Sequence, residues 1–416
     1  MKNLLFSDVK IQGLNYMKFN NFITSTIVPL YIVAIILFFA QNIFAVTLKW
    51  DIQPGSKLEF VYDANVEYYE NGMLRKAYSE RNIIDLLCYN KETKGQFVKG
   101  TFSVYRKNIN DYLYRLEEQY SSDFFIRVNG MYDVPEGKFM PNLRHLPSFP
   151  EGDVKEGSVW QAPVNIIFNN FSVPLILLLE AQYIVLYINN ESHEAIINYS
   201  ILIDKTLKDK PYRDDMPIKI YGQYAGQVTW DFMQNQPKKS VNAYNLLLLF
   251  GRTGELNTIE FKMAIDQTNM AYKHIPDNEK KKQQKEIEKE LKHDGVSVDS
   301  DTRGMIIRFS DILFEFDKYN LNGEALKVLE KLVTIIKAKY PNNEVLVEGF
   351  TDNVGSEDYN MILSEKRAQT VATYLKNSLG HDKISYRGLG KNNPIADNTT
   401  AEGRQKNRRV EIIIKM

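Results

Sequence analysis

Asp352 and Arg367 are the residues of this chain whose types and spacing point to chemistry. They belong to one stretch, Gly349 to Ala368, in which an apolar segment runs through a polar loop into a helix. Glu344 to Phe350 (EVLVEGF) reads as a short buried strand, the Gly/Asp/Asn/Ser cluster after it as a turn, and Asp358 to Leu379 as a helix. On that helix Leu363, Arg367, Ala368, Val371 and Leu375 recur at spacings of three and four, so Arg367 borders the apolar face. Its stem can lie on that face while the guanidinium reaches back over the loop holding Asp352. A carboxylate and a guanidinium held side by side make a receptor for a zwitterionic ligand end, the acid taking an ammonium and the base forking onto a carboxylate. The same spacing also fits an internal ion pair that only pins loop to helix.

The elements that must position this pair can be read around it. A strand over Ile312 to Phe316 leads to a helix over Asn322 to Lys339, whose apolar face is Leu326, Leu329, Val333 and Ile336 and which Pro341 stops. Strands over Lys383 to Leu389 and Arg408 to Lys415 follow. Strands alternating with amphipathic helices make a helix-backed sheet, a mixed α/β sandwich with its binding loops at one edge. Arg404, Lys406, Arg408 and Arg409 form a basic cluster that is either a solvated face or a partner for acids such as Asp317.

Residues from about 305 to 416 resemble the OmpA-like C-terminal domain, a peptidoglycan-associating module also found in Pal-type lipoproteins and MotB-type motor proteins. The resemblance is carried by ILFEFDKYNL (Ile312 to Leu321), GFTDNVGSEDYN (Gly349 to Asn360), LSEKRAQTVATYL (Leu363 to Leu375), the GLG of Gly388 to Gly390, Pro394, and NRRVEI (Asn407 to Ile412). It implies that Asp352 and Arg367 are the ligand-binding acid and base that hold the diamino acid of the peptidoglycan stem peptide. It also implies a ligand-contacting loop at Phe316 and Asp317, pocket-side positions at Asn360 and Leu363, and supporting roles for Thr351, Arg408 and Arg409. Phe350 stands where the family usually has His or a similar polar residue, a departure that leaves the acid and base untouched.

At 416 residues, with 44% apolar content, the chain is long enough for two folded domains and appendages. Lys plus Arg and Asp plus Glu both total 52, and no nucleic-acid motif appears, so a DNA or RNA partner is not expected. One cysteine, Cys88, in an apparent buried strand, excludes a disulfide framework, and five scattered histidines give no metal-ligand spacing. No nucleophile elbow, Walker loop or HExxH motif is present, and neither enzymatic activity nor a cofactor is expected.

Asn20 to Thr47 carries no charge and contains a dense apolar run, Ile27 to Ala40, preceded by Lys18. This reads as an export signal over residues 1–45, cleaved after Ala45, with Met17 an alternative start; an uncleaved membrane anchor is the rival. Residues 46–273 alternate with period two, as in Leu58, Phe60, Tyr62, Ala64, Val66 and Tyr68, and read as a mainly antiparallel β domain, sandwich-like or curled with its apolar faces inward. The run Val173 to Ile188 contains Glu180 at its middle and reads as two core strands or one long one, not a membrane helix. Residues 274–304 begin with the charged Asp277 to Asp294, an exposed helix or flexible tether, and residues 305–416 complete an α+β multidomain chain.

The expectation from sequence is a non-enzymatic protein of the periplasm or outer membrane of a double-membraned bacterium, binding peptidoglycan non-covalently and tethering the envelope to the wall. Outer-membrane or envelope proteins are candidate partners of the β domain. The alternatives are an outer-membrane β-barrel porin with a periplasmic wall-binding domain, or a MotB-like inner-membrane-anchored protein. That family's span carries an Asp, and none lies between Asn20 and Thr47.

Overall fold

The computed structural model describes residues 45–138, 140–169, 171–207, 215–252, 255–273, 277–292, 295–301, 303–310, 313–314 and 318–416. Residues 1–44, where the expected export signal or anchor falls, lie outside the described residues. Among the described residues no helix is long and apolar enough to cross a membrane.

Among the described residues, period-two alternation produces ten long strands in the β domain: β1 (Ser56–Glu70), β2 (Met73–Glu92), β3 (Gly95–Asn108), β4 (Tyr114–Arg127), β5 (Val159–Phe168), β6 (Leu175–Asn189), β7 (Glu194–Thr206), β8 (Lys219–Asp231), β9 (Gln236–Arg252) and β10 (Glu255–Lys273). Except across the β4–β5 seam, neighbours in sequence pair antiparallel, and β10 returns to pair with β1 from Ile259 opposite Glu70 to Lys273 opposite Ser56. The mainly antiparallel domain expected from the sequence is therefore one sheet curled on itself into a barrel. Asn71 and Gly72 close the β1–β2 hairpin, both with positive φ (49° and 75°), as a two-residue turn between twisted strands requires.

Alternation is clearest on β6, where Leu175, Leu177, Leu179, Ala181, Tyr183 and Val185 point inward and Glu180 lies exposed on the outer face. That placement explains how a carboxylate sits amid an apolar run, and the run forms a single strand. Leu58, Phe60, Leu86, Val98, Phe124, Ile197 and Ile201 meet inside as one core. An apolar interior is the reverse of a barrel whose polar residues line an aqueous lumen. One end is plugged by Leu48, Trp50 and Ile52, with Trp50 and Phe149 packed edge-on against Trp230 at 4.9 and 4.6 Å.

Between β4 and β5 the barrel closes only through two-residue strands. Tyr132–Asp133 pairs with β4 and Leu143–Arg144 with β5, and the Tyr132 N–H donates to His145 Nδ1 at 2.9 Å. The Pro-containing stretch from Val134 to Pro163 thus includes the strap across this seam.

The C-terminal part begins with helix α1 (Asp277–Glu290) and strands β11 (Val296–Asp301) and β12 (Gly304–Ser310). Helix α2 (Gly323–Lys339), strand β13 (Val345–Gly349), helix α3 (Glu357–Leu379), strand β14 (Ile384–Gly388), the short helix α4 (Ala401–Asn407) and strand β15 (Arg409–Lys415) follow. Strand order is β11–β12–β15–β13–β14, antiparallel except for the parallel pair β13–β14. Val328, Leu329, Leu332, Val371 and Leu375 of α2 and α3 pack on Val345, Val347, Ile412 and Ile414 of the sheet. Leu326, expected on the apolar face, is instead exposed: the buried arc runs through Ala325, Val328, Leu329 and Leu332, which leaves Leu326 on its solvent side. Of the expected first strand, Ile312 and Glu315 to Phe316 lie outside the described residues, and Phe314 forms an isolated bridge with Leu321.

Charged as it is, α1 docks on the module. Ile287, and Leu291 just beyond its end, lie one helical turn apart and are buried in the module core, the Gln284 amide donates to the Val298 carbonyl, and Lys339 pairs with Glu290 at 2.8 Å.

The opposite face of the module sheet meets the outer face of the barrel. Ile306, Leu346 and Ile413 pack against Ile83, Tyr105 and Leu116, and β14 adds a short parallel pairing to β4 at Tyr114 and Arg115. Charges are buried beside this contact: Lys415 pairs with Glu344 at 2.8 Å and Lys57 with Asp85 at 3.2 Å. Glu59 is 3% exposed, and burial, followed by the Glu344 and Asp85 charges, pushes its carboxyl up to about 7. The folded chain therefore holds this proton after the unfolded chain has released it. Stability from Glu59 is fully present below the ordinary Glu range and is lost as pH rises to about 7, on the order of 3 kcal/mol. Glu59→Gln is expected to raise the melting temperature at pH 8 and leave it nearly unchanged at pH 4.5, as differential scanning calorimetry at both pH values will show.

Candidate functional site

The end of β13 carries the site. All five of its residues are buried, and beyond it the chain stays fixed by backbone bonds from Phe350 N–H to the Arg409 carbonyl (2.9 Å) and from Thr351 N–H to the Gly390 carbonyl (2.8 Å). The loop then turns on Asp352, whose Oδ1 accepts from the Val354 N–H at 3.0 Å. Asn360 donates its side-chain amide to the Val354 carbonyl at 2.9 Å, and Ser356 caps α3 by accepting from the Tyr359 N–H. The loop is thus shaped by its own polar side chains.

Two glycines let α3 come close enough to place Arg367. A Cβ on Gly349 would land on the Ser364 carbonyl oxygen, and one on Gly388 would lie 2.5 Å from the Glu365 nitrogen. Both obstacles are helix backbone. Gly349→Ala is expected to push α3 off the sheet and cost about 2–4 kcal/mol, read as a lower urea midpoint.

Asp352 and Arg367 are 7% and 4% exposed. No ion pair joins them. Asp352 Oδ2 instead accepts from Arg408 Nη1 at 2.8 Å, while Arg367 donates Nε to the Lys318 carbonyl at 3.0 Å and lies over the Phe314 ring at 5.2 Å. The internal Asp352–Arg367 bridge that the spacing also allowed is therefore not formed. Arg367 and Arg408 border one small cavity of about 10 Å³, walled by Phe309, Leu313, Phe314 and Val410. This is space for about one water molecule. The Asp352–Arg408 pair is reached from solvent, with side chains 10% and 21% exposed.

The other residues singled out from sequence divide. Arg408 sits on the acid, whereas Arg409 turns to the opposite face, where it stacks on Phe350 at 3.6 Å and donates to Glu411 Oε1 at 2.9 Å. Thr351 bonds its hydroxyl to the Asp352 carbonyl, Asn360 closes the loop, and Leu363 is half-buried on α3. Phe316 and Asp317 lie outside the described residues. Sequence reading missed α4, which delivers Arg408 from its C-terminal cap; the signal was Thr400, which accepts from the Gly403 N–H as N-cap. It also missed Asn407, fully buried, whose amide accepts from the Ile395 and Ala396 N–H groups and donates to the Ala396 carbonyl.

Comparison with known proteins places this module. Residues 313–408 match the OmpA family. The chain is 43% identical over 106 residues to outer membrane protein A of Bordetella avium, covering 25% of this chain and 54% of that protein. It is 42% identical over 103 residues to outer membrane porin F of Pseudomonas aeruginosa, covering 24% of this chain and 29% of that one. The chain therefore spans from under a third to just over half of these curated relatives. Among solved structures it is similar to the cell wall anchor of the T6SS from Pseudomonas aeruginosa, at 28% identity and a TM-score of 0.29, covering 31% of this chain and 94% of that one. The matched segment runs from Leu313 through Asp352 and Arg367 to Arg408, and residues 313–408 of this chain form an OmpA family domain.

Proposed function

We propose that the protein binds the peptidoglycan stem peptide non-covalently and tethers the cell envelope to the wall, acting from the periplasm or outer membrane of a Gram-negative bacterium. The observation that carries this reading is that Arg408 links the acid and the base, bonded to Asp352 just beyond β13 and bordering one cavity with Arg367 of α3, in a domain of the OmpA family. A diamino acid tip carries an ammonium and a carboxylate. Asp352 receives the ammonium, in competition with Arg408, and the guanidinium of Arg367 receives the carboxylate. The cavity holds about one water, so seating the tip requires its wall residues to move outward.

Binding of one small zwitterion is weak, and many copies on one mesh make it effective. The expected result is that the full-length protein sediments with purified sacculi and is released by soluble muropeptides. A protein that stays in the supernatant, or that muropeptides fail to release, would remove the proposal.

A further inference from the structure

The barrel encloses a second, larger space of about 420 Å³, within the range of small-molecule sites. It opens at the seam, where no described strand pairs with the free edge of β4 from Leu116 to Phe124. Its walls are mostly apolar, among them Phe60, Ala64, Ile84, Phe124 and Ile265. Tyr62, Tyr132 and Tyr244 also line it, and burial pushes their hydroxyl pKa values up. These side chains nonetheless remain only partly covered, so the surface they keep faces the internal space. Their hydroxyls hydrogen-bond no described residue. Nearby, Tyr199 donates to Asn242, whose amide donates to Ser240 at 2.9 Å; Gly226 makes room, since a Cβ there would lie 2.8 Å from the Tyr199 ring.

The mouth is charged. Arg106 donates to Glu80 at 3.0 Å, Asn82 donates to the other Glu80 oxygen at 2.9 Å, and Glu118 accepts from the Tyr120 hydroxyl. All five residues border the cavity. The Arg106–Glu80 pair and the Glu118 carboxylate border one apolar chamber, an arrangement that complements a head carrying one anionic and one cationic group on an apolar tail.

We infer that the barrel is a binding site for a single-chain zwitterionic lipid, a lysophospholipid, with its acyl chain in the chamber, its phosphate on Arg106 and its cationic group on Glu118. A chain in the chamber removes apolar wall from contact with solvent, and the ester oxygens near the head lie among the tyrosine hydroxyls. This inference is independent of wall binding, which uses the other end of the chain.

Trp50 lines the chamber and Trp230 packs on it, so tryptophan emission reports occupancy. Titrating the full-length protein with lysophosphatidylcholine brominated along its acyl chain is expected to give saturable quenching at one lipid per chain. Ala64→Phe, which fills the chamber, is expected to weaken this about tenfold or more while sacculus binding persists. Arg106→Gln, at the exposed mouth, is expected to weaken the lysolipid about tenfold and leave a brominated monoacylglycerol unchanged. Absence of saturable quenching would overturn the inference, as would quenching that neither variant alters. Equal weakening of lysolipid and monoacylglycerol by Arg106→Gln would overturn the head-group assignment. If Ala64→Phe does not fold, the Arg106→Gln comparison alone decides.

Discussion

Arg367→Ala is expected to lower retention on sacculi by about 30-fold or more, because truncating one partner of a buried charge pair costs about 2–5 kcal/mol and each 1.4 kcal/mol is a factor of ten. Arg367 lies at 4% exposure with its stem on the apolar face of α3, and Ala removes both the fork and some packing. Arg367→Lys separates the two: it keeps the stem and charge but cannot fork, and is expected to fold normally and still bind poorly. For the acid the informative change is Asp352→Asn. Asp352 Oδ1 also accepts from the Val354 N–H, so Ala would loosen the loop, whereas the Asn carbonyl keeps that turn while its NH2 cannot accept from the partly exposed Arg408 and the ligand-binding charge is gone. Asp352→Asn is expected to melt near the parent temperature and yet fail to sediment with sacculi. Retention at the parental level would mean the carboxylate does not hold the ligand.

Glu348→Ala is expected to be the most damaging single change to stability outside the hydrophobic core, at about 3–5 kcal/mol. Glu348 is 1% exposed on β13 and is bonded by Arg387 Nε at 2.8 Å and Arg303 Nη1 at 2.9 Å. Removing it strands cations that are partly withdrawn from water, beside Arg308 and Arg409, which share Glu411. A urea midpoint falling at constant slope is the expected reading. Because β13 delivers Asp352 to the site, wall binding is expected to fail near the lowered melting temperature and to survive well below it.

The strand–loop–helix unit that carries Asp352 and Arg367 was legible in the sequence because local spacing governs its placement. The contacts that those two side chains make were not. Arg408 reaches Asp352 across 56 residues, a contact fixed by β15 lying between β12 and β13 and by α4 ending at Arg408. Adjacent in sequence, Arg408 and Arg409 looked interchangeable, yet they serve different faces of the sheet. In the β domain, alternation in Leu58 to Tyr68, Ile218 to Trp230 and Ile259 to Ile265 revealed the strands β1, β8 and β10. It carried no sign that β10 would return to β1, since pairing partners far apart leave no local pattern. The docking of α1 rests on Ile287 and Leu291, too few apolar residues to stand out in so charged a segment.

The central claim, that one fixed acid and one fixed base together hold a zwitterion, is tested most directly by calorimetric titration of the full-length protein. The titrants are the free diamino acid of its own wall and the same compound with its amines acetylated or its carboxyls amidated. Binding of the unblocked compound alone is the predicted result, since Asp352 requires the ammonium and Arg367 the carboxylate. Equal binding of either blocked form would contradict it.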